Sequence, residues 1–160
     1  MPRVDKHLEW CLKDPRRLIK TQQDLSLAQK HVKKSEYNYG IVQTLERLKI
    51  YDWALNIGFY AIYHCFLAIL AKYGYESKNQ ACTITVLLNL INEGKLNLDK
   101  DLVAQFDTLD VEKNITNPTV RESRELSTYG VETSIDLQQL KKIKELALKV
   151  QKETIRILGE

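Results

Sequence analysis

The sequence predicts an all-α protein, an up-and-down bundle of four to five main helices with shorter helices beside them. Apolar residues recur at three- and four-residue steps over long stretches, as they do on one face of a helix. No run of four or more residues alternates apolar and polar side chains as a half-buried strand would. The chain also holds only six Gly and three Pro, few turn residues for an all-β fold.

Length and composition favour one globular domain. The chain has 160 residues, enough to bury a sizeable core, and we expect residues 1–160 to form a single helical domain. Apolar residues make up 44% and charged residues 28%, as in ordinary soluble proteins. No internal repeat of solenoid period is present.

Two helices are predicted before the centre of the chain. The first runs from Val4 to Lys13 and ends before Pro15, which disfavours helical geometry in the residue preceding it. The second is capped by Asp24 and runs to about Lys49. Its apolar stripe consists of Leu25, Ala28, Val32, Tyr39, Val42 and Leu45. Gly40 in its interior predicts a close helix contact, because Gly is otherwise unfavourable in a helix by about 1 kcal/mol.

The most apolar stretch extends from Asp52 to Gly74. From Trp53 to Ala71 it has nineteen residues without a formal charge, close to the ~20 that a membrane-spanning helix needs. A membrane span would leave the amphipathic segments on either side without a core. We therefore expect no membrane span but the central helix of a bundle, whose faces all meet other helices. Asp52 is expected to cap its start, and Gly74 to end it in the left-handed conformation.

Four further helices are predicted after the centre, separated by short polar joints. The most loop-like segment is residues 111–118, V-E-K-N-I-T-N-P. The first two run from about Asn79 to Glu93, with Gly94 as the stop, and from about Lys100 to Leu109, with Asp99 as the cap. The last two run from near Thr119 to Gly130, and from Ile135 to Leu158 with Ser134 as the cap.

The cysteines and the N-terminus predict a cytoplasmic protein. Cys11, Cys65 and Cys82 are odd in number, include no C-x-x-C pair and fall among apolar residues, so neither a disulfide nor a zinc site is expected. The N-terminus has no apolar run of the secretory type. The net charge of +3 is uneven, since residues 1–34 carry +5. Such a basic segment attracts nucleic acid or is simply a solvated helical face.

Motifs for known chemistry are absent from the sequence. It has no phosphate-binding glycine loop, no H-E-x-x-H and no Glu-x-x-His pair, and its three histidines His7, His31 and His64 are far apart. We expect no metal and no cofactor. His64, in the middle of the central stretch, is either a hydrogen-bonded core residue or a functional one.

One short segment, residues 121–131, combines arginines with an aromatic hydroxyl. Arg121 and Arg124 are three residues apart, hence on one helix face, and Tyr129 follows at the helix end. Arg121 and Glu125 could form an exposed charge ladder. Alternatively the guanidinium groups bind a phosphate or an RNA backbone, for which their planar fork is well shaped.

Over nearly its whole length the chain resembles the HEPN family of small helical-bundle proteins. E-W-C-L-K at 9–13 and D-L-S-L-A at 24–28 are similar to the family's N-terminal part. The closest similarity lies in Y-D-W-A at 51–54, F-Y-A-I-Y-H-C-F-L-A-I-L at 59–70 and G-Y-E-S-K-N-Q-A-C at 74–82. These resemble the family's Y-Y-A-x-F-H helix and the G-Y-x-x-K-S-H-x-C loop that follows it.

The resemblance implies a chemistry that this sequence only partly matches. Many members are metal-independent ribonucleases that use an Arg, four to six residues, then a His, from two copies at a dimer interface. Here the motif falls on Arg124, Glu125 and Tyr129. Tyr titrates near ~10 and is a poorer general base than His. Gln80 stands where the family has a loop histidine, so His64 is the family histidine that is left.

These considerations predict a homodimer. Five residues turn a helix by about 140°, so Arg124 and Tyr129 converge only at the helix end near Gly130 or across two subunits. The expected function is binding of RNA or a nucleotide phosphate by Arg121, Arg124, Glu125 and His64, with Arg124 and Tyr129 as catalytic candidates in a toxin-like ribonuclease. The resemblance also implies a nucleotidyltransferase-like antitoxin as partner. The alternative is a scaffold module whose arginine segment forms the dimer interface.

Overall fold

Seven helices and a two-stranded sheet make up the part of the chain that the computed structural model describes, residues 2–107, 119–131 and 137–160. The helices are α1 Pro2–Leu12, α2 Leu25–Arg47, α3 Tyr51–Tyr73, α4 Gln80–Asn92, α5 Lys100–Phe106, α6 Val120–Tyr129 and α7 Leu137–Leu158, and the strands are β1 Leu18–Lys20 and β2 Tyr75–Ser77. The predicted all-α bundle is confirmed.

Helix α3 is the centre of the bundle. It packs against α2, α4, α6 and α7, and its interior positions include the fully buried Phe66, Ile62 and Ile69. By length and composition it could cross a membrane, yet 72% of its apolar window is buried within the bundle. Contacts with the surrounding helices thus account for its apolar surface, as predicted for a core helix.

Helix α2 runs antiparallel to α3 and to α7. The backbone N–H of Asp24 donates to Ala71, and Ser35 Oγ donates to the carbonyl of Ala61, so the start of α2 meets the end of α3. Gln151 of α7 donates to the same Ser35 hydroxyl. Helices α3 and α7 consequently run parallel to each other, with Gly58 against Ile143.

The helix ends agree with the predicted caps at most positions. The caps predicted at Asp24 and Asp99 are present, since each side chain accepts a backbone N–H bond at the start of its helix. The side chains of Asn79 and Thr119 accept in the same way at the start of α4 and α6, where no cap was predicted. Gly74 ends α3 with φ 83°, as expected.

The cap predicted at Asp52 is wrong. Lys49 has φ 60°, and the N–H of Ile50 turns back to the carbonyl of Leu45. This tight turn makes Ile50 the N-cap, and Asp52 lies inside the first turn of α3, where its carboxylate accepts from the N–H of Trp53.

The close contact predicted at Gly40 is also wrong. A Cβ built there would have nothing within 4 Å, because Gly40 lies on the exposed side of α2. The close approach occurs at Gly58 of α3, where a Cβ would lie 2.6 Å from Cγ2 of Ile143.

A small antiparallel sheet joins two segments that lie between predicted helices. Leu18 pairs with Ser77, Ile19 with Glu76 and Lys20 with Tyr75. Three-residue strands are too short to produce a detectable alternation in sequence. The sheet fixes the α1–α2 connection to the turn that follows α3.

Cys11 and Cys82 form a disulfide, which corrects the prediction that none is present. Their Cα atoms are 5.8 Å apart, and the bond ties α1 to α4 across 71 residues of sequence. The spacing of the cysteines carried no sign of this proximity. Cys65 is free and buried, and burial raises the pKa of its thiol to about 11. Disulfides persist mainly in oxidising compartments, so the bond counts against the cytoplasmic location that the sequence predicted.

Some predicted features lie outside the described residues. These are the loop at 111–118, the end of the fifth helix at Leu109, the Ser134 cap and Ile135.

Candidate functional site

Helix α6 carries both predicted arginines and lies against the N-terminal half of α3. Thr119 caps its start by accepting from the N–H of Glu122, and Val120 and Ser123 are buried. Near its end Asn56 of α3 donates to Thr128 Oγ1 at 3.0 Å. These contacts fix the face of α6 that presents Arg121 and Arg124.

Arg121 is the centre of an ion-pair network. Its Nε donates to Asp107 Oδ1 at 2.9 Å, and its Nη1 donates to Glu125 Oε1 at 2.9 Å. Asp107 Oδ2 also accepts from Gln80 Nε2 at 3.3 Å, and Nη2 of Arg124 lies 3.9 Å from the same Glu125 oxygen. These contacts join Gln80 of α4, the residue that follows α5 and two arginines of α6 through two guanidinium groups and two carboxylates.

Burial and charge act in opposite directions on Arg121. Burial lowers its pKa, while the bonds to Asp107 and Glu125 raise it, and the result lies above the usual value. The Asp107 side chain is 8% exposed and that of Glu125 is 43% exposed. The Arg121–Glu125 pair is the charge ladder that the spacing indicated. An incoming anion would displace Glu125 more readily than Asp107, since Glu125 is the more exposed.

Arg124 packs on the aromatic face of α3. Its Cζ lies 4.5 Å from the ring centroid of Phe59 and 6.0 Å from that of Tyr60. Phe59 in turn stacks on Phe106 at 4.8 Å. The Arg124 side chain is 14% exposed, so the aromatic rings fix the direction of a guanidinium that still reaches the surface.

Tyr129 does not converge with Arg124 within the chain. It is the last residue of α6 and is 77% exposed, whereas Arg124 faces α3. The helix continues regularly through Tyr129, and five residues rotate the side-chain direction by about 140°. Convergence of these two side chains therefore requires a second subunit.

His64 belongs to a different set of contacts. Its Nδ1 lies 2.9 Å from Nδ1 of His31 on α2, with ring centroids 5.2 Å apart. Burial, with smaller contributions from His31 and Lys34, lowers the pKa of His64 to about 4. Burial also lowers the pKa of His31. The structure thus pairs His64 with a histidine, and Arg124 with aromatic rings.

Two partners in these contacts, His31 and Asp107, were missed as site residues. His31 carried no precise signal, because folding the second predicted helix back on the central one at their joint, between Lys49 and Asp52, would place position 31 opposite about position 70 rather than position 64. Asp107 carried no signal, since its proximity to Arg121 depends on how α5 packs. In the described ranges no three or more His, Cys, Asp or Glu side chains form a group that could hold a metal ion.

No protein-family model matches this chain, and no curated protein matches it. Membership of the HEPN family therefore stays a prediction that rests on the motifs quoted above.

Proposed function

We propose that this protein is a HEPN-type helical domain that binds RNA or a nucleotide through its phosphate, at Arg121 and Arg124. The observation that carries the proposal is the arrangement of these arginines side by side on α6, with Arg124 next to Tyr60, which is 40% exposed. Guanidinium groups match phosphate geometry, and exposed aromatic rings stack on bases without regard to sequence.

Each arginine has a distinct role in this proposal. Arg124 is held in place by Phe59 and Tyr60 and binds the phosphate directly. Arg121 remains anchored to Asp107, and the phosphate takes the place of Glu125. Binding therefore breaks one exposed ion pair, which contributes only about 0–1 kcal/mol, and keeps the buried one.

A homodimer is part of the proposal. The end of α6 exposes apolar side chains, Leu126, Tyr129 and Val131, which a second copy would cover. Apposing this surface in two copies brings Tyr129 of each close to the arginines of the other.

Binding, rather than cleavage, is the activity that the geometry supports best. Tyr129 replaces the expected histidine, and the contact described for His64 is with His31. Ribonuclease activity, a toxin role and a nucleotidyltransferase-like antitoxin rest on the resemblance. The cytoplasmic location rests on the sequence, and the Cys11–Cys82 disulfide counts against it.

A scaffold module is the second candidate. It is favoured by the neutralisation of Arg121 by two carboxylates and by the exposed apolar end of α6. In this case α6 serves dimerisation only.

Labelled single-stranded RNA, titrated in EDTA at several salt concentrations, separates the two candidates. We expect Arg124→Ala to weaken binding about tenfold. The slope of log affinity against log salt concentration should fall by about one, the effect of losing one phosphate contact. Glu125→Gln should strengthen binding, because it removes the carboxylate that competes with the phosphate.

Arg16→Ala is the matched control, since Arg16 is fully exposed in the basic N-terminal segment and pairs with Asp14. Equal RNA affinity for wild type and Arg124→Ala would contradict the proposal. So would a loss confined to Arg16→Ala, which would assign binding to the N-terminal segment. If Arg124→Ala makes the protein monomeric in light scattering without changing RNA affinity, the scaffold function is supported.

A further inference from the structure

The histidine pair between α2 and α3 brings two imidazole Nδ1 atoms together. His31 and His64 come from helices that pack along their whole length, and their Nδ1 atoms are 2.9 Å apart. Two nitrogen lone pairs at that distance repel unless a proton or a cation lies between them. In the metal-free protein one Nδ1–H must donate to the other Nδ1.

We propose that His31 and His64 bind one divalent transition-metal ion of the imidazole-preferring class, such as Zn²⁺, Ni²⁺ or Cu²⁺. Two nitrogens at about 2.0–2.1 Å from a tetrahedral ion lie about 3.3 Å apart. The observed separation needs to widen by only a few tenths of an ångström, which small side-chain rotations provide. Mg²⁺ and Ca²⁺ are excluded because they prefer oxygen ligands.

The surroundings suit a metal site that water can reach, rather than a structural site in which protein side chains supply every ligand. Both histidines are half-buried, so an ion can reach them and water can complete its coordination. Metal binding requires neutral imidazoles. Lys34 lies near His64 and opposes a cation. With two protein ligands and this lysine, the site binds more weakly than a three- or four-ligand site.

Calorimetric titration of the tag-free protein with ZnCl₂ and with NiCl₂ tests the proposal. We expect one ion per chain, no binding of Mg²⁺, and a rise in melting temperature with metal, since the ion binds the folded chain. His31→Ala and His64→Ala should each weaken binding about a hundredfold, because loss of even an outer-shell partner costs about 10–100-fold. His7→Gln is the control, as His7 bonds Thr85 on the α1–α4 side of the fold.

Nitrogen-15 spectra of the wild-type imidazoles keep the test decisive if a variant fails to fold. Zinc should shift the Nδ1 signals of His31 and His64 and leave those of His7 unchanged. Binding that persists in both alanine variants, a shift confined to Nε2, or the absence of stoichiometric binding would overturn the proposal.

Discussion

His64 occupies a place where protonation is unfavourable. It is half-buried, beside His31 and near Lys34, and burial is the main reason that its pKa falls to about 4 from the ordinary 6.5. In the unfolded chain the same imidazole would titrate near 6.5. Below that pH the unfolded state therefore binds more protons at this residue than the folded state does.

We expect the free energy of unfolding to decrease as the pH falls from about 6.5 to about 4, because protonation of His64 favours the unfolded chain. The contribution of neutral His64 to the free energy of unfolding is fully present above pH 6.5. Its size is about 1 kcal/mol after allowance for solvent screening of a half-exposed group. Urea unfolding of wild type and His64→Gln across this pH range measures it. Equal pH dependence in the two proteins would contradict the prediction.

The arginines of α6 show how far local spacing predicts contacts. The Arg121–Glu125 pair follows from the four-residue step along a helix. The bond from Arg121 to Asp107 does not follow from spacing, although it is the more buried of the two. Stacking of Arg124 on Phe59 likewise depends on the side of α3 on which α6 packs.

At the scale of elements, a glycine lies where α3 packs against α7. Gly58 has no Cβ, and Cγ2 of Ile143 fills the space that a Cβ would need. Gly40 of α2, in contrast, has open space where a Cβ would lie. The two glycines therefore offer a matched pair of substitutions.

Gly58→Ala should destabilise the protein by about 1–2 kcal/mol. Overpacking against Ile143 costs about 1–3 kcal/mol, and the higher helix propensity of Ala offsets part of that cost. Gly40→Ala should stabilise by about 0.5–1 kcal/mol. Chemical denaturation of both variants checks the sign of each change. Similar effects in the two variants would show that α3 and α7 are not in close contact at Gly58.

At the scale of the whole molecule, the disulfide ties α1 to the rest of the bundle. Cys11 and Cys82 are 71 residues apart, so the bond constrains a large part of the unfolded chain. Beside it, β1 and β2 hold the chain just after α1 against the turn that follows α3. Two independent connections thus fix the N-terminal segment.

Reduction of this disulfide should destabilise the protein by about 4 kcal/mol, the entropic estimate for a loop of this length. Thermal melts with and without reductant measure the effect. The Cys11→Ser, Cys82→Ser double variant is the control, because reductant should not change its melting temperature. Mass spectrometry after alkylation of the unreduced, unfolded protein should find one free thiol, Cys65. Three free thiols would contradict the prediction.

The amino-acid sequence determined the features that depend on neighbours along the chain. Apolar spacing indicated the helices, the caps predicted at Asp24 and Asp99 were correct, and Gly74 ended α3 as expected. Each of these depends on side chains within about one helical turn, where spacing fixes geometry.

The tertiary structure decided which distant residues meet. The Cys11–Cys82 bond, the β1–β2 pairing, the His31–His64 contact and the position of Asp107 beside Arg121 join residues 14 to 71 positions apart. The same packing made Gly58 rather than Gly40 the close contact. Helix periodicity shows which face of a segment is apolar, but not which partner covers it, and that choice depends on how all the helices pack together.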